Sequence, residues 1–157
     1  MSTQLIEGGF SPKNHRIAIV VSRWNGFITE SLREGAVTML RRQGVPDSAV
    51  TVIYCPGSFE LPLIAKKALE TGKYDGVICL GAVIRGATSH YDHVCSAVTS
   101  GIARVNLDTG KPVVFGVVTT ETIEQAIERA GTKAGNKGEE AANTLLEMLS
   151  VIERING

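Results

Sequence analysis

Apolar, β-branched runs alternate along this chain with segments of helical period. The runs at residues 16–21, 50–54, 76–80 and 112–118 are continuously hydrophobic rather than alternating, as expected of strands buried on both faces. Each is followed by a stretch with apolar residues three and four apart, which predicts helices over residues 29–43, 59–71, 88–107, 122–129 and about 138–155. In the last of these, Ala142, Leu145, Leu149 and Ile152 form a stripe that must pack on something. Gly44-Val45-Pro46, Gly72-Lys73 and Thr109-Gly110-Lys111-Pro112 punctuate the helix ends. The βαβα order predicts an α/β fold, a small doubly wound parallel sheet with helices on both faces.

The first ten residues carry apolar Leu5, Ile6 and Phe10 ahead of the first core strand, with Gly8-Gly9 and Pro12 between. Such an arm either caps its own sheet edge or adds a strand to a neighbouring subunit, unless it is simply a frayed end. At 157 residues and 43% hydrophobic, the chain can bury one sizeable core, so residues 1–157 read as a single domain with 1–12 as the arm. Sixteen basic and sixteen acidic residues cancel. No global field then favours nucleic acid or an anionic membrane, and any charge recognition must be local. Apolar runs are too short to span a bilayer and the N-terminus lacks signal-peptide features, so the reading is a cytoplasmic protein. Cys55, Cys79 and Cys95 have no C-x-x-C spacing, which argues against a disulfide framework or a structural zinc site and makes Cys79 a buried free thiol.

In an open parallel sheet, ligands bind beyond the carboxyl ends of the strands, and the chain is rich there. Trp24 and Asn25 follow the first strand: a polar-tipped ring able to stack on a heteroaromatic ligand, or a rim residue covering the core. After the second come Pro56-Gly57, which forces a turn, Ser58 as an N-cap, and Phe59 and Glu60 opening a helix. Glu60 there is either a dipole partner or an acceptor for ligand hydroxyls. After the third, Gly81 and Gly86 have P-loop spacing, but Ala87 replaces the nucleotide-binding Lys. Thr88 at a fresh helix N-terminus then suggests a site for one phosphate, not a triphosphate. His90, on the first turn, lies close enough to exchange protons with a substrate. His90 and His93 make a weak metal pattern, with a structural role for His93 the better reading. Thr119-Thr120-Glu121 should cap the helix that follows the fourth strand. Arg129, Lys133 and Lys137 could supply cations for a phosphate monoester, or be ordinary helix-end and loop charges.

Together, Arg23-Trp24-Asn25, the 56–62 segment PGSFELP, the 81–91 segment GAVIRGATSHY, the 115–121 segment FGVVTTE and the 124–138 segment EQAIERAGTKAGNKG resemble the 6,7-dimethyl-8-ribityllumazine synthase family over essentially the full length. The resemblance implies a three-layer α/β/α, flavodoxin-like domain with a four-stranded parallel sheet. It implies the penultimate step of riboflavin biosynthesis: condensation of 5-amino-6-(D-ribitylamino)uracil with 3,4-dihydroxy-2-butanone 4-phosphate, releasing phosphate and water, with no cofactor or metal. It further implies His90 as general acid/base and Trp24 stacked on the pyrimidine. Asn25, Ser58, Phe59 and Glu60 would hold the ribityl chain, with Val83 and Ile84 against the ring. Ala87, Thr88 and Arg129 would bind phosphate, and Phe115 and Lys137 would complete the pocket, the adjacent subunit supplying Phe115, Arg129 and Lys137. Family members are pentamers, some building icosahedral shells of twelve pentamers, and association with riboflavin synthase is a further implied partnership. The family usually has Phe where this chain has Trp24, a departure that keeps the stacking surface and enlarges it. A non-catalytic flavin- or pterin-binding module, or an inactive shell protein, would have no need of the intact His90, Thr88 and Arg129 set.

Overall fold

The structure, a computed structural model, describes residues 2–132 and 135–157. Strands β1 (Ile17–Ser22), β2 (Val50–Cys55), β3 (Gly76–Ile84) and β4 (Val113–Thr120) form one parallel sheet in the order β2-β1-β3-β4. Helices α1 (Gly26–Arg42), α2 (Leu61–Glu70), α3 (His90–Thr109), α4 (Ile123–Arg129) and α5 (Lys137–Asn156) cover it. Every residue of β1 is buried, and its period of two sorts them between layers. Ile17, Ile19 and Val21 join the core under α1 and α5, whereas Ala18 and Val20 join the one under α2 and α3. β3 divides likewise, with Ile78, Leu80 and Ala82 on the first side and Val77, Cys79 and Val83 on the second. This is the predicted three-layer sandwich, with α5 burying Ala142, Leu145 and Leu149 of its apolar stripe.

Three differences from the sequence reading bear on the site. β3 continues to Ile84 instead of stopping at Leu80, so Gly81 is a strand residue and not the start of a phosphate loop. Its role is close packing: a Cβ there would lie 2.4 Å from Ser58 Oγ and 3.1 Å from Leu61 Cδ1. Second, α1 begins at Gly26, three residues early, because Asn25 caps it in the left-handed region at φ 60°, a conformation Asn tolerates better than most residues. Third, residues 58–60 form a separate short 3₁₀ turn before α2.

Beyond β4, Thr122 rather than the preceding three residues caps α4, exchanging hydrogen bonds with Gln125. A small antiparallel pair, β5 (Ala130–Thr132) with β6 (Gly135–Asn136), follows where a basic loop was expected. Lys133, one of its nominated cations, lies outside the described residues. Asn136 ties this pair to two helices. Its amide donates to Ser31 O of α1 and Ala130 O, and its Oδ1 accepts from Gly138 N at 2.7 Å and Glu139 N at 3.1 Å to cap α5. Glycines let α1 and α5 approach this closely, for a Cβ on Gly138 would sit 1.9 Å from Leu32 O. The N-terminal arm does not cap a sheet edge. It runs along α5 of its own chain, Gly9 N donating to Ser150 Oγ at 3.0 Å and Arg154 to Glu7 O, with Leu5, Ile6 and Phe10 left exposed.

Candidate active site

Crossing from β2 over β1 to β3 reverses the winding direction, and a crevice opens beyond the carboxyl ends of strands at such a point. A cavity of about 380 Å³ lies there, lined by Trp24, Asn25, Ser58, Phe59, Glu60, Ala82, Val83, Ile84, His90 and Val94. Each wall has a local cause. Arg23 N and Trp24 N both donate to Pro56 O, at 3.1 and 3.0 Å, which locks the turn after β1 to the turn after β2. The indole of Trp24 then lies against Gly57, where a Cβ would fall 2.4 Å from Cε3. Gly57 is therefore required by the ring, and Trp24 presents its other surface outward at 64% exposure.

Asn25 is held by its side chain, Nδ2 donating to Ala82 O at 3.0 Å. That bond leaves Oδ1 as its acceptor. Glu60 Oε1 accepts from Gly57 N at 2.9 Å at the helix start, and the residue borders the cavity. Ser58 is buried, and its Oγ lacks a partner among the described residues, as does Ser22 Oγ, which faces the same side of Gly81. Beneath this floor, the Cys55 thiol is pushed up to about 11 by burial and by the charge of Glu60. Its protonated form is favoured and donates to Gly57 O, the setting of a structural thiol. Cys79 is fully buried, its thiol raised by desolvation.

The mouth is formed by residues 85–90. Thr88 Oγ1 accepts from His90 N at 3.3 Å, an ST-type turn leading into α3, and His90 is exposed at the first helical position. The start of a 20-residue helix lies here beside an imidazole, its His93 N–H also held, by Ser89 O, and among the described residues nothing lies within 4 Å of where a Gly86 Cβ would stand. Such a layout can bind a flat ring against the indole, hold a polyol chain on Asn25 and Glu60, take an anion at the helix start and move a proton at His90. His93, on the same turn, is exposed.

The remaining nominated residues are elsewhere. Ala87 and Thr88 flank the cavity without lining it. Phe115 and Lys137 line a second cavity of about 440 Å³ between β4 and α5, with Lys137 Nζ 3.4 Å from Glu140 Oε1. Arg129 ends α4 and donates to Gln125 O of its own helix. Ala82 and Val94 border the first cavity although the sequence reading passed over them. Ala82 became legible only once β3 was seen to extend past Gly81, and Val94 reads as an ordinary core position of α3.

Residues 14–153 match the 6,7-dimethyl-8-ribityllumazine synthase family. Two curated proteins of that name, from Chlorobium phaeovibrioides and Chlorobium luteolum, are each 56% identical over 151 residues, covering 96% of this chain and 97% of theirs. The strands, the cavity at their carboxyl ends and the residues bordering it all fall within the matched span, and the chain belongs to the 6,7-dimethyl-8-ribityllumazine synthase family.

Proposed function

We propose that the chain, as one catalytic domain, condenses 5-amino-6-(D-ribitylamino)uracil with 3,4-dihydroxy-2-butanone 4-phosphate to 6,7-dimethyl-8-ribityllumazine. The near full-length family match carries this reading, and the cavity supports it chemically. Trp24 stacks on the pyrimidine, with Val83 and Ile84 along its edge. Asn25 Oδ1 and the second oxygen of Glu60 accept from ribityl hydroxyls, helped by Ser58 Oγ and flanked by Phe59. Ala87, Thr88 and the start of α3 take the phosphate. The substrate amine attacks the ketone and an imine forms with loss of water. Phosphate then leaves by elimination, and ring closure expels a second water. Each step moves a proton, which His90 gives and accepts, while much of the acceleration comes from holding the two substrates in register.

The separate position of Phe115, Lys137 and Arg129 supports a shared site, in which a neighbouring subunit of a homopentamer brings these residues to the mouth of the first cavity. Twelve such pentamers would close an icosahedral shell, able to associate with riboflavin synthase, in the cytoplasm. The test is to mix the purified protein with both substrates and follow lumazine fluorescence. Turnover well above the spontaneous reaction is expected, and its absence refutes the reading. In His90→Ala the rate should fall on the order of ten- to hundredfold, short of abolition because substrate positioning survives.

A further inference from the structure

Arg85, which has no assigned role, stands between the end of β3 and the loop that carries Thr88 and His90. Its backbone N donates to Thr120 O at 2.9 Å, continuing the β3–β4 pairing one residue beyond Ile84. Its guanidinium reaches in three directions. Nε meets Glu121 Oε2 at 2.7 Å, just past β4. Nη2 and Nη1 meet the two oxygens of Asp92, at 3.1 and 3.5 Å, on the first turn of α3. The guanidinium carbon also lies 4.4 Å from the centre of the Tyr91 ring.

Exposed single ion pairs hold little. A planar fork shared by two carboxylates and stacked on an aromatic ring is a different object, because its geometry fixes all its partners at once. Those partners sit at both ends of one short loop: Arg85 at its entry, Tyr91 and Asp92 directly after its exit. Two carboxylates also outnumber one guanidinium, so the cluster carries no spare positive charge with which to attract an anion.

We propose that Arg85 is a positioning residue: it clamps the start of α3 to the end of β4 and so sets where Thr88 and His90 stand, without binding phosphate itself. The proposal rests on the lumazine synthase reading for its kinetic arm only. Inorganic phosphate binding, followed by calorimetry on the assembled protein, tests it separately.

In Arg85→Ala, kcat should fall on the order of tenfold to hundredfold, the scale of a misplaced reacting group. The KM for the butanone phosphate should rise, and the KM for the ribitylaminouracil should stay within about twofold of its original value, since its platform on Gly57 is untouched. Arg85→Lys should fail to rescue, because an ammonium lacks the fork. Asp92→Asn and Glu121→Gln should each weaken phosphate binding, whereas Arg104→Ala, which breaks the exposed pair with Asp108 farther along α3, should change nothing. Tighter phosphate binding in Asp92→Asn or Glu121→Gln would overturn the proposal, for it would mean a released Arg85 is itself a phosphate ligand. Full rescue by Lys, or a loss of thermal stability with both KM values rising together, would overturn it too. Should the unaltered protein show no turnover, the functional reading fails, but weakened phosphate binding in the carboxylate variants still supports the clamp.

Discussion

At the scale of single residues, the site depends on what glycine lacks. Gly57 has an unstrained backbone and is needed chiefly because Trp24 occupies the space its side chain would fill, with Glu60 Oε1 also close at 3.2 Å. Gly57→Ala should therefore displace the indole while leaving the fold intact. Trp24 is the chain's single tryptophan, so its fluorescence reports on the cavity alone. Titration with riboflavin should quench it in the unaltered protein and quench it much less in Gly57→Ala; no quenching at high micromolar ligand would remove the stacking role assigned to Trp24. Cys55 gives a pH prediction. Its thiol rises from an ordinary 9.0 to about 11 on folding, so the folded state favours the protonated form. That contribution to stability is complete below pH 9 and is lost as the pH climbs toward 11. Alkylation of Cys55 should accordingly stay slow through pH 9 and quicken only above it, a course that mass spectrometry of the labelled protein follows.

Among elements, the crossing of α1 and α5 is the least forgiving contact. Gly138→Ala would drive a methyl group into the backbone carbonyl of Leu32, where no side chain can swing aside. Destabilisation of about 3 kcal/mol or more is expected, read as a lower urea midpoint. Gly26→Ala is the contrast. It lies in the first turn of α1 with open space around it and no positive φ, so the same change there should be neutral or add up to about 1 kcal/mol. The elements themselves were largely legible, because continuous apolar runs and helical stripes report burial directly. Their ends were not. Gly81 was read as a turn since glycine commonly marks one, yet its cause is the pressure of Ser58 and Leu61 from another element. Asn25, whose left-handed backbone starts α1 early, is held by a hydrogen bond to Ala82, a partner far away in sequence. The β5–β6 pair is likewise held by Asn136 reaching to α1. Each miss depends on a contact between segments that no local pattern encodes.

For the molecule as a whole, the sequence reading nominated residues now found in two places. Trp24, Asn25, Ser58, Phe59, Glu60, Val83, Ile84 and His90 share one cavity, because each follows or ends a strand of the same sheet. Phe115 and Lys137 line the other. If a neighbour joins the two halves, His90→Ala and Arg129→Ala should damage different contributors to one site. Co-expressed, the two variants should show more activity than either does alone, through fully intact sites that make up about a quarter of the total when subunits mix at random in a closed ring. Light scattering of the unaltered protein gives the particle size, a monomer mass refuting the shared site and a pentamer mass refuting the shell. The sheet has consequences here as well. β4 is an edge strand, capped by Asn106 at the N–H and C=O of Val113, with Phe115, 41% exposed, farther along it, and a strand at a sheet edge favours association. Under the shared-site reading, folding, assembly and catalysis then draw on one concentration. Melting temperature should rise as the protein is concentrated, and at low abundance the rate should grow faster than in proportion to the amount of protein, so that halving expression removes more than half of the flux.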